Sequence, residues 1–254
     1  MTVDLLGGDI ELTGRIMPAS NATFLGRIDD VEVVYKPVAG ERPLWDFPDG
    51  TLAGREVAAH TLSEALGWDV VPPTWLRDGP HGPGMVQRWQ HVDDELEAVT
   101  LVGVDEVPDE GWCHVLEGID ADERPVALIH EDSAALRRMA VFDVLANNAD
   151  RKGGHVLTMS DGRRLGVDHG LTFHAEHKLR TVLWGWVDDA LHDDELAAVR
   201  SVRADLDGAL RERFEGLVTE AEVDALVRRC DRLLERGTFP APSGDMPAVP
   251  WPPF

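Results

Sequence analysis

The stretch Asn147-Asn148-Ala149-Asp150-Arg151-Lys152-Gly153-Gly154-His155, continued through Asp161-Gly162 to Asp168-His169-Gly170, decides how this chain is read. Upstream of it, Asp132-Ser133 is a good N-cap pair. The residues from there to about Ala146 are apolar on most sides, which predicts a buried helix whose C-terminal end delivers the loop. Asp161-Gly162 lies between the runs Val156-Leu157-Thr158-Met159 and Leu165-Gly166-Val167, and Asp-Gly is a preferred two-residue hairpin turn. With these two residues as the loop, His155 falls opposite Asp168. Opposed residues hold their Cβ atoms about 5 Å apart, so an imidazole and a carboxylate are expected to converge and to share a divalent cation. Asp150, at the exit of the helix, reaches the same small volume. A carboxylate to orient a hydroxyl and a cation to neutralise phosphate charge are the minimum that phosphoryl transfer needs. On spacing alone, a hairpin whose polar ends cap one another, with Asp150 capping a helix, explains the same residues equally well.

Working outward, Val31-Glu32-Val33-Val34-Tyr35-Lys36 is a β-branched strand stopped by Pro37. Residues 53–66 carry Ala58, Leu62, Ala65 and Leu66 at helical spacing, with Gly67 where a helix C-terminus wants it. Val70 to Leu76 and Met85 to Trp89 read as two strands joined across the Gly/Pro-rich turn Asp78 to Gly84. Residues 91–131 are acidic with weak periodicity and are read as linker and irregular structure. Two amphipathic helices follow. One carries Leu196, Val199, Val202, Leu206, Leu210 and Phe214; the other carries Val223, Leu226, Val227, Cys230, Leu233 and Leu234 and opens on the capping box Thr219-x-x-Glu222. The tail from Phe239 holds six of the sixteen prolines and is expected to run extended, as a plain tail rather than through Pro247-Ala-Val-Pro250 as a docking motif.

Composition narrows the class. Forty-seven acidic against twenty-four basic residues give a formal charge of −23, which repels nucleic acid and anionic lipid. No run reaches the roughly 18 apolar residues of a membrane span, and the start lacks a signal-peptide pattern. Cys113 and Cys230, far apart, exclude a disulfide framework. A cytoplasmic protein with no nucleic-acid partner and no stable membrane association is expected. Nothing bears on oligomeric state.

With these residues in view, the chain resembles, over about residues 18–175, the atypical kinases that include the phosphoinositide 3-/4-kinases and the HipA-like bacterial kinases. It looks most similar to a little-characterised bacterial branch. The resemblance implies an α+β, two-lobed protein-kinase-like fold: an N-lobe of sheet plus one helix over 1–90, a mainly helical C-lobe over 91–237, and a Pro-rich tail over 238–254. It implies ATP bound between the lobes and a divalent cation, with Asp150 as the catalytic-loop aspartate that orients the acceptor hydroxyl and Asp168 as the principal Mg²⁺ ligand. His155 stands where the family has Asn, and imidazole favours softer ions, so Mn²⁺ competes with Mg²⁺. Lys152 replaces the family His. Lys36, in Tyr35-Lys36-Pro37, would hold the α- and β-phosphates, paired with Glu56 on the next helix. Ser20, Asn21 and Thr23 lie where a phosphate-covering loop belongs, and Met85, Val86, Gln87 and Arg88 fit the hinge strand whose backbone meets adenine.

The expected activity is transfer of phosphate from ATP to a hydroxyl of a small soluble molecule or a protein. The alternatives are a nucleotide-binding pseudokinase, an adenylyl transferase on the same scaffold, and, behind these, a metallohydrolase built from Asp150, His155, Asp168 and His174. Trp184-Gly185-Trp186, after Lys178 and Arg180, either lines the acceptor site or packs on the helical half.

Overall fold

Along Val31–Pro37 (β3) the side chains alternate between two environments, as the two-residue period of a strand requires. Val33 and Tyr35 are fully buried with Ile10, Ile28 and Val86 in a small cluster on one face. Val34 and Lys36 point to the other face, into a cleft. The computed structural model behind this description covers residues 7–17, 21–42, 44–47, 51–244 and 246–254. β3 pairs antiparallel with Phe24–Ile28 (β2), which pairs with Glu11–Arg15 (β1). On its other side β3 meets Gly82–Arg88 (β5), which pairs with Thr74–Gly79 (β4), giving the order β1-β2-β3-β5-β4. The β4–β5 turn is therefore tighter than the sequence indicates, because Asp78 and Gly79 pair with Pro83 and Gly82.

Leu52–Leu66 (α1) joins this sheet to the rest of the chain. The Thr51 hydroxyl accepts from the Gly54 N–H, and the Glu41 carboxylate accepts from the N–H groups of Leu52 and Ala53 at 3.0 and 2.8 Å. Three donors that a helix start leaves unpaired are thus satisfied, with negative charge at the positive end of the dipole. Gly67, at φ 69°, closes the helix in the left-handed conformation. One face of α1 buries Ala58, Ala59, Leu62 and Leu66 in the main core, and Arg55 passes through that core to Glu222 Oε1 at 2.6 Å.

Residues 91–131 are not wholly irregular. Val99–Gly103 (β6), Trp112–Ile119 (β7) and Pro125–Glu131 (β8) form an antiparallel sheet in the order β6-β8-β7. Only central β8, with Ala127, Leu128, Ile129 and His130 buried, carries an unbroken apolar run. Edge strand β7 is largely exposed and β6 only partly buried, so their composition resembles that of a linker.

Ser133 caps Ala134–Ala146 (α2) by accepting from the Leu136 N–H. The Val156–Thr158 (β9) and Arg164–Gly166 (β10) hairpin follows. Next come Asp193–Asp205 (α3), Ala209–Arg213 (α4) and Glu220–Arg236 (α5), the last opened by the Thr219/Glu222 capping box. The apolar series from Leu196 to Phe214 is interrupted at Leu206-Asp207-Gly208, so it spans two helices rather than one. Leu206, Leu210 and Phe214 still reach the core. The result is a two-lobed α+β molecule, with α2 central in the helical body. No described helix is long and apolar enough to cross a membrane. The described residues after Phe239 form neither strand nor helix, and the segment's later part lies against the helical body: the Ala248 carbonyl accepts from the Thr181 N–H and from Trp184 Nε1.

Candidate active site

A cleft of about 900 Å³ opens between the inner face of the five-stranded sheet and the β9–β10 hairpin, at the upper end of the range for small-molecule sites. At its floor Lys36 Nζ lies 2.6 Å from Glu56 Oε1 and 2.7 Å from Asp168 Oδ1. These residues come from β3, α1 and the segment after β10, separated by 20 and 132 positions from Lys36. Glu56 Oε2 also accepts the backbone N–H of His169 at 2.9 Å, so one carboxylate ties the lysine to the Asp168-His169-Gly170 turn. Burial alone would lower the pKa of the Lys36 ammonium, but Asp168 and Glu56 outweigh it and raise it. The Lys36 cation holds Asp168 well below the usual carboxylate range against burial. Glu56 moves up, because its burial exceeds the help it receives from Lys36.

His155 and Asp168 do meet, but not through the expected register. β9 and β10 pair Val156 with Gly166, and the Val167 N–H donates to the His155 carbonyl at 3.0 Å, so Val167 rather than Asp168 stands opposite His155. The loop holds three residues, Ser160, Asp161 and Gly162, closed by the Met159–Arg163 bond, with Gly162 at φ 88°. A one-residue slip should send Asp168 to the opposite face. It returns because Asp168 itself adopts φ 61°, a left-handed conformation that Asp tolerates better than most residues, and this turns its carboxylate back. His155 Nε2 is then 3.6 Å from Asp168 Oδ2. His155 Nδ1 lies 2.8 Å from the Asp150 carbonyl, which can only accept; Nδ1 carries the proton and Nε2 offers its lone pair toward Asp168. Burial keeps this imidazole neutral, with its pKa lowered against the pull of Asp168. A histidine donating one nitrogen to a backbone carbonyl and presenting the other is the usual metal-ligand arrangement. Among the described residues no group of three metal-binding side chains forms, and Asp168 and His155 stand as a pair. The Asp150 pKa is raised by burial, offset by Lys152, whose Nζ is 3.6 Å from its Oδ2, and by His155.

Asn21 and Thr23 line the cleft near the β1–β2 turn; Ser20 lies outside the described residues. On the expected hinge strand the side chains divide between the two faces. Gln87 and Arg88 line the cleft, whereas Val86 points into the opposite cluster with Tyr35 and Met85 is buried without lining the cleft. The N–H groups of Arg88 and Trp89 bond to Pro73 and Glu32, so the cleft wall continues past the strand through Trp89, Gln90 and Val92. His174 is not part of the constellation: its ring packs edge-on against Phe47 and Nδ1 accepts from the Glu176 N–H. Trp186 is buried against His130 and Phe239, which makes Trp184-Gly185-Trp186 a packing element rather than a wall of the cleft.

No family model matches the sequence. Over 262 aligned residues it is 50% identical to Protein Rv2133c of Mycobacterium tuberculosis (strain ATCC 25618 / H37Rv), covering 98% of this chain and 94% of the relative. The chain belongs to the Rv2133c family. Among solved structures it is similar to the Helicobacter pylori proinflammatory kinase CtkA, at a TM-score of 0.48 and 12% identity over 94% of this chain and 95% of that one.

In this member of the Rv2133c family a fully buried layer under the loop, which the sequence reading missed, fixes its shape. Asn147 ends α2 at φ 53°, its side-chain NH₂ donates to the carbonyls of His174 and Glu176, and its side-chain oxygen accepts from the Lys178 N–H. Asp143, on α2, accepts from Arg151 Nε and Nη2, Asn148 Nδ2 and Thr181 Oγ1. Arg151 Nη2 also donates to His169 Nε2 at 2.8 Å. His169 is neutral, its pKa pushed well down by burial and the adjacent guanidinium. A signal for Asp143 existed, since a carboxylate in a helix apolar on most sides is rarely buried unless paired. A second signal is the distribution of lysines. Only three of the 24 basic residues are lysines, and two of them, Lys36 and Lys152, line the cleft. Where arginine is otherwise used, the compact ammonium does what a planar guanidinium cannot.

Proposed function

We propose that this chain is an ATP- and divalent-metal-dependent phosphotransferase acting on a hydroxyl of a small soluble molecule or a protein. The observation that carries the reading is the Lys36 ammonium shared between Glu56 on α1 and Asp168 after the hairpin, at the floor of a cleft that holds Asp150. Lys36, set by Glu56, would take the α- and β-phosphates as a point charge. Asp168 and the lone pair on His155 Nε2 fit a divalent cation whose remaining ligands come from phosphate and water, and imidazole in the set favours Mn²⁺ over Mg²⁺. Bound there, the cation would neutralise charge on the phosphates. Asp150, with its basicity raised by burial, would orient the acceptor hydroxyl and take its proton. Lys152, beside it, would hold the transferred phosphoryl group. Val34, Ile16, Val92 and Leu157 supply apolar wall for the base.

The test is thermal stabilisation by ATP with Mg²⁺ or Mn²⁺, together with ATP turnover over a metabolite panel. Asp168→Asn is expected to lose both the metal-dependent part of the stabilisation and the turnover, and unchanged values for the variant would sink the assignment. A nucleotide-binding pseudokinase is the second reading, favoured by the 2.7 Å Lys36–Asp168 pair, which engages one oxygen of the metal-binding carboxylate. Stabilisation by ATP without turnover on any acceptor would select it. No membrane substrate is proposed, since a chain of net charge −23 is repelled by anionic lipid.

A further inference from the structure

The proline-rich tail is a sequence motif that the proposed chemistry leaves unused, and Pro253 and Phe254 lie on the catalytic loop. The Gly153 N–H donates to the Pro253 carbonyl at 2.8 Å. The Phe254 ring lies on the Cα of Gly153: a Cβ built there would sit 2.2 Å from Phe254 Cε1 and 2.6 Å from Cδ1. Six residues earlier, the Ala248 carbonyl takes the Thr181 N–H at 3.1 Å and Trp184 Nε1 at 2.8 Å. Thr181 is itself bridged to Arg151, with the Arg151 N–H on the Arg180 carbonyl and the Val182 N–H on the Arg151 carbonyl. Val249 packs on the main core and Pro250 is buried, which anchors the segment between the two contacts.

We infer that residues 248–254 form a strap that positions the catalytic loop, with Pro253 and Phe254 as positioning residues for Asp150 and His155. The physical need is local. Two consecutive glycines separate Lys152 from His155, the freest backbone available, yet the 3₁₀ turn Gly153–His155 must present His155 to both the Asp150 carbonyl and Asp168. A side chain at Gly153 would have to displace the Phe254 ring, so stiffness comes from outside: one hydrogen bond and one aromatic lid. The strap touches no residue of the Lys36–Glu56 pair and should leave nucleotide affinity alone while setting the rate of transfer. This inference rests on the phosphotransferase reading for its kinetic part only.

The experiment compares the full chain with Phe254→Ala, Phe254→Tyr, Gly153→Ala, the Gly153→Ala/Phe254→Ala double variant and a chain ending at Pro250, with Ile119→Ala, an exposed site on the three-stranded sheet, as control. Amide hydrogen exchange is followed over residues 151–158, and ATP turnover to water with Mn²⁺ is measured alongside. Truncation and Phe254→Ala should raise exchange at Gly153 and His155 about tenfold, as expected for losing one hydrogen bond and its cover, with α5 unchanged. Phe254→Tyr should retain protection. Gly153→Ala should resemble Phe254→Ala, and the double variant should be no worse than either single. Turnover should fall in kcat with KM for ATP unchanged. Unaltered exchange in the truncated chain, or a loosened loop with full kcat, overturns the strap. A loosened loop in a family of proteins whose wild type never turns over ATP supports the strap and overturns the phosphotransferase reading instead.

Discussion

Asp143→Asn is the most informative single perturbation of the loop over residues 147–155, because it changes one charge and almost no volume at a fully buried site. Asp143 and Arg151 are both fully buried. The carboxylate receives Arg151 at 3.0 Å from Nε and 2.9 Å from Nη2, Asn148 at 3.0 Å and Thr181 at 3.2 Å. Asparagine keeps one accepting oxygen but turns an NH₂ group toward donors, and it leaves the guanidinium with only neutral partners, His169 among them. Breaking a buried pair by removing one partner costs about 3–5 kcal/mol. The retained oxygen puts Asp143→Asn near the lower end, and Asp143→Ala, with an added cavity, near the upper. In a chain of this length each kcal/mol moves the melting midpoint by about 2–4 °C, so the asparagine variant should melt about 6–12 °C below the parent. Urea unfolding with an unchanged slope should give the same difference at 25 °C. Asp143→Leu combined with Arg151→Met should recover most of the loss, because no orphan charge remains. If both single variants fall within about 1 kcal/mol of the parent, the buried pair does not organise the loop and the account of its shape is wrong.

Other consequences are as direct. His130 and His169 are buried and neutral, their pKa values lowered chiefly by burial. Below about pH 6.5 the unfolded chain binds protons that the folded one refuses, so stability falls as pH drops from there, by up to about 1.4 kcal/mol per unit for each histidine. His169→Gln should flatten urea-derived stability between pH 7 and pH 5 by about one proton, and an unaltered slope would contradict the assignment. Gly185→Ala would place a Cβ 2.2 Å from Cys113 Cβ and 2.5 Å from His130 Nε2, which accepts the Gly185 N–H. A loss of at least about 2 kcal/mol is expected in urea unfolding, and tolerance would mean that the three-stranded sheet yields to the helical body. Lys36→Arg retains the charge but replaces a compact ammonium bridging contacts at 2.6 and 2.7 Å with a planar fork. It should abolish ATP-induced stabilisation in a thermal shift assay; full retention would show that charge alone suffices.

Much of this was legible in the residues because it is local. Thr219 with Glu222, Ser133, and Gly67 mark helix ends through bonds made within a turn of themselves. The β-branched content of Val31–Lys36 announces a strand without reference to its neighbours. The residues chosen for the site, Lys36, Glu56, Asp150, His155 and Asp168, converge in space, although spacing alone could not distinguish them from a capped hairpin and a surface lysine. What escaped depends on partners distant in sequence. The edge strands β6 and β7 are defined by pairing with β8, and the tail by its contacts with Thr181, Trp184 and Gly153.

The hairpin and its carboxylate show the division most clearly. From sequence alone the chain specifies an Asp-Gly turn, two short β-runs and the chemistry of His155 and Asp168, because turn preference and side-chain type are properties of the residues themselves. Tertiary structure alone decides that the loop takes a third residue, that Val167 faces His155, and that Asp168 turns back at φ 61° to meet Lys36 from another lobe. A one-residue change of register costs little locally but reverses which face each side chain occupies, and only the packing of the whole chain can choose between the two.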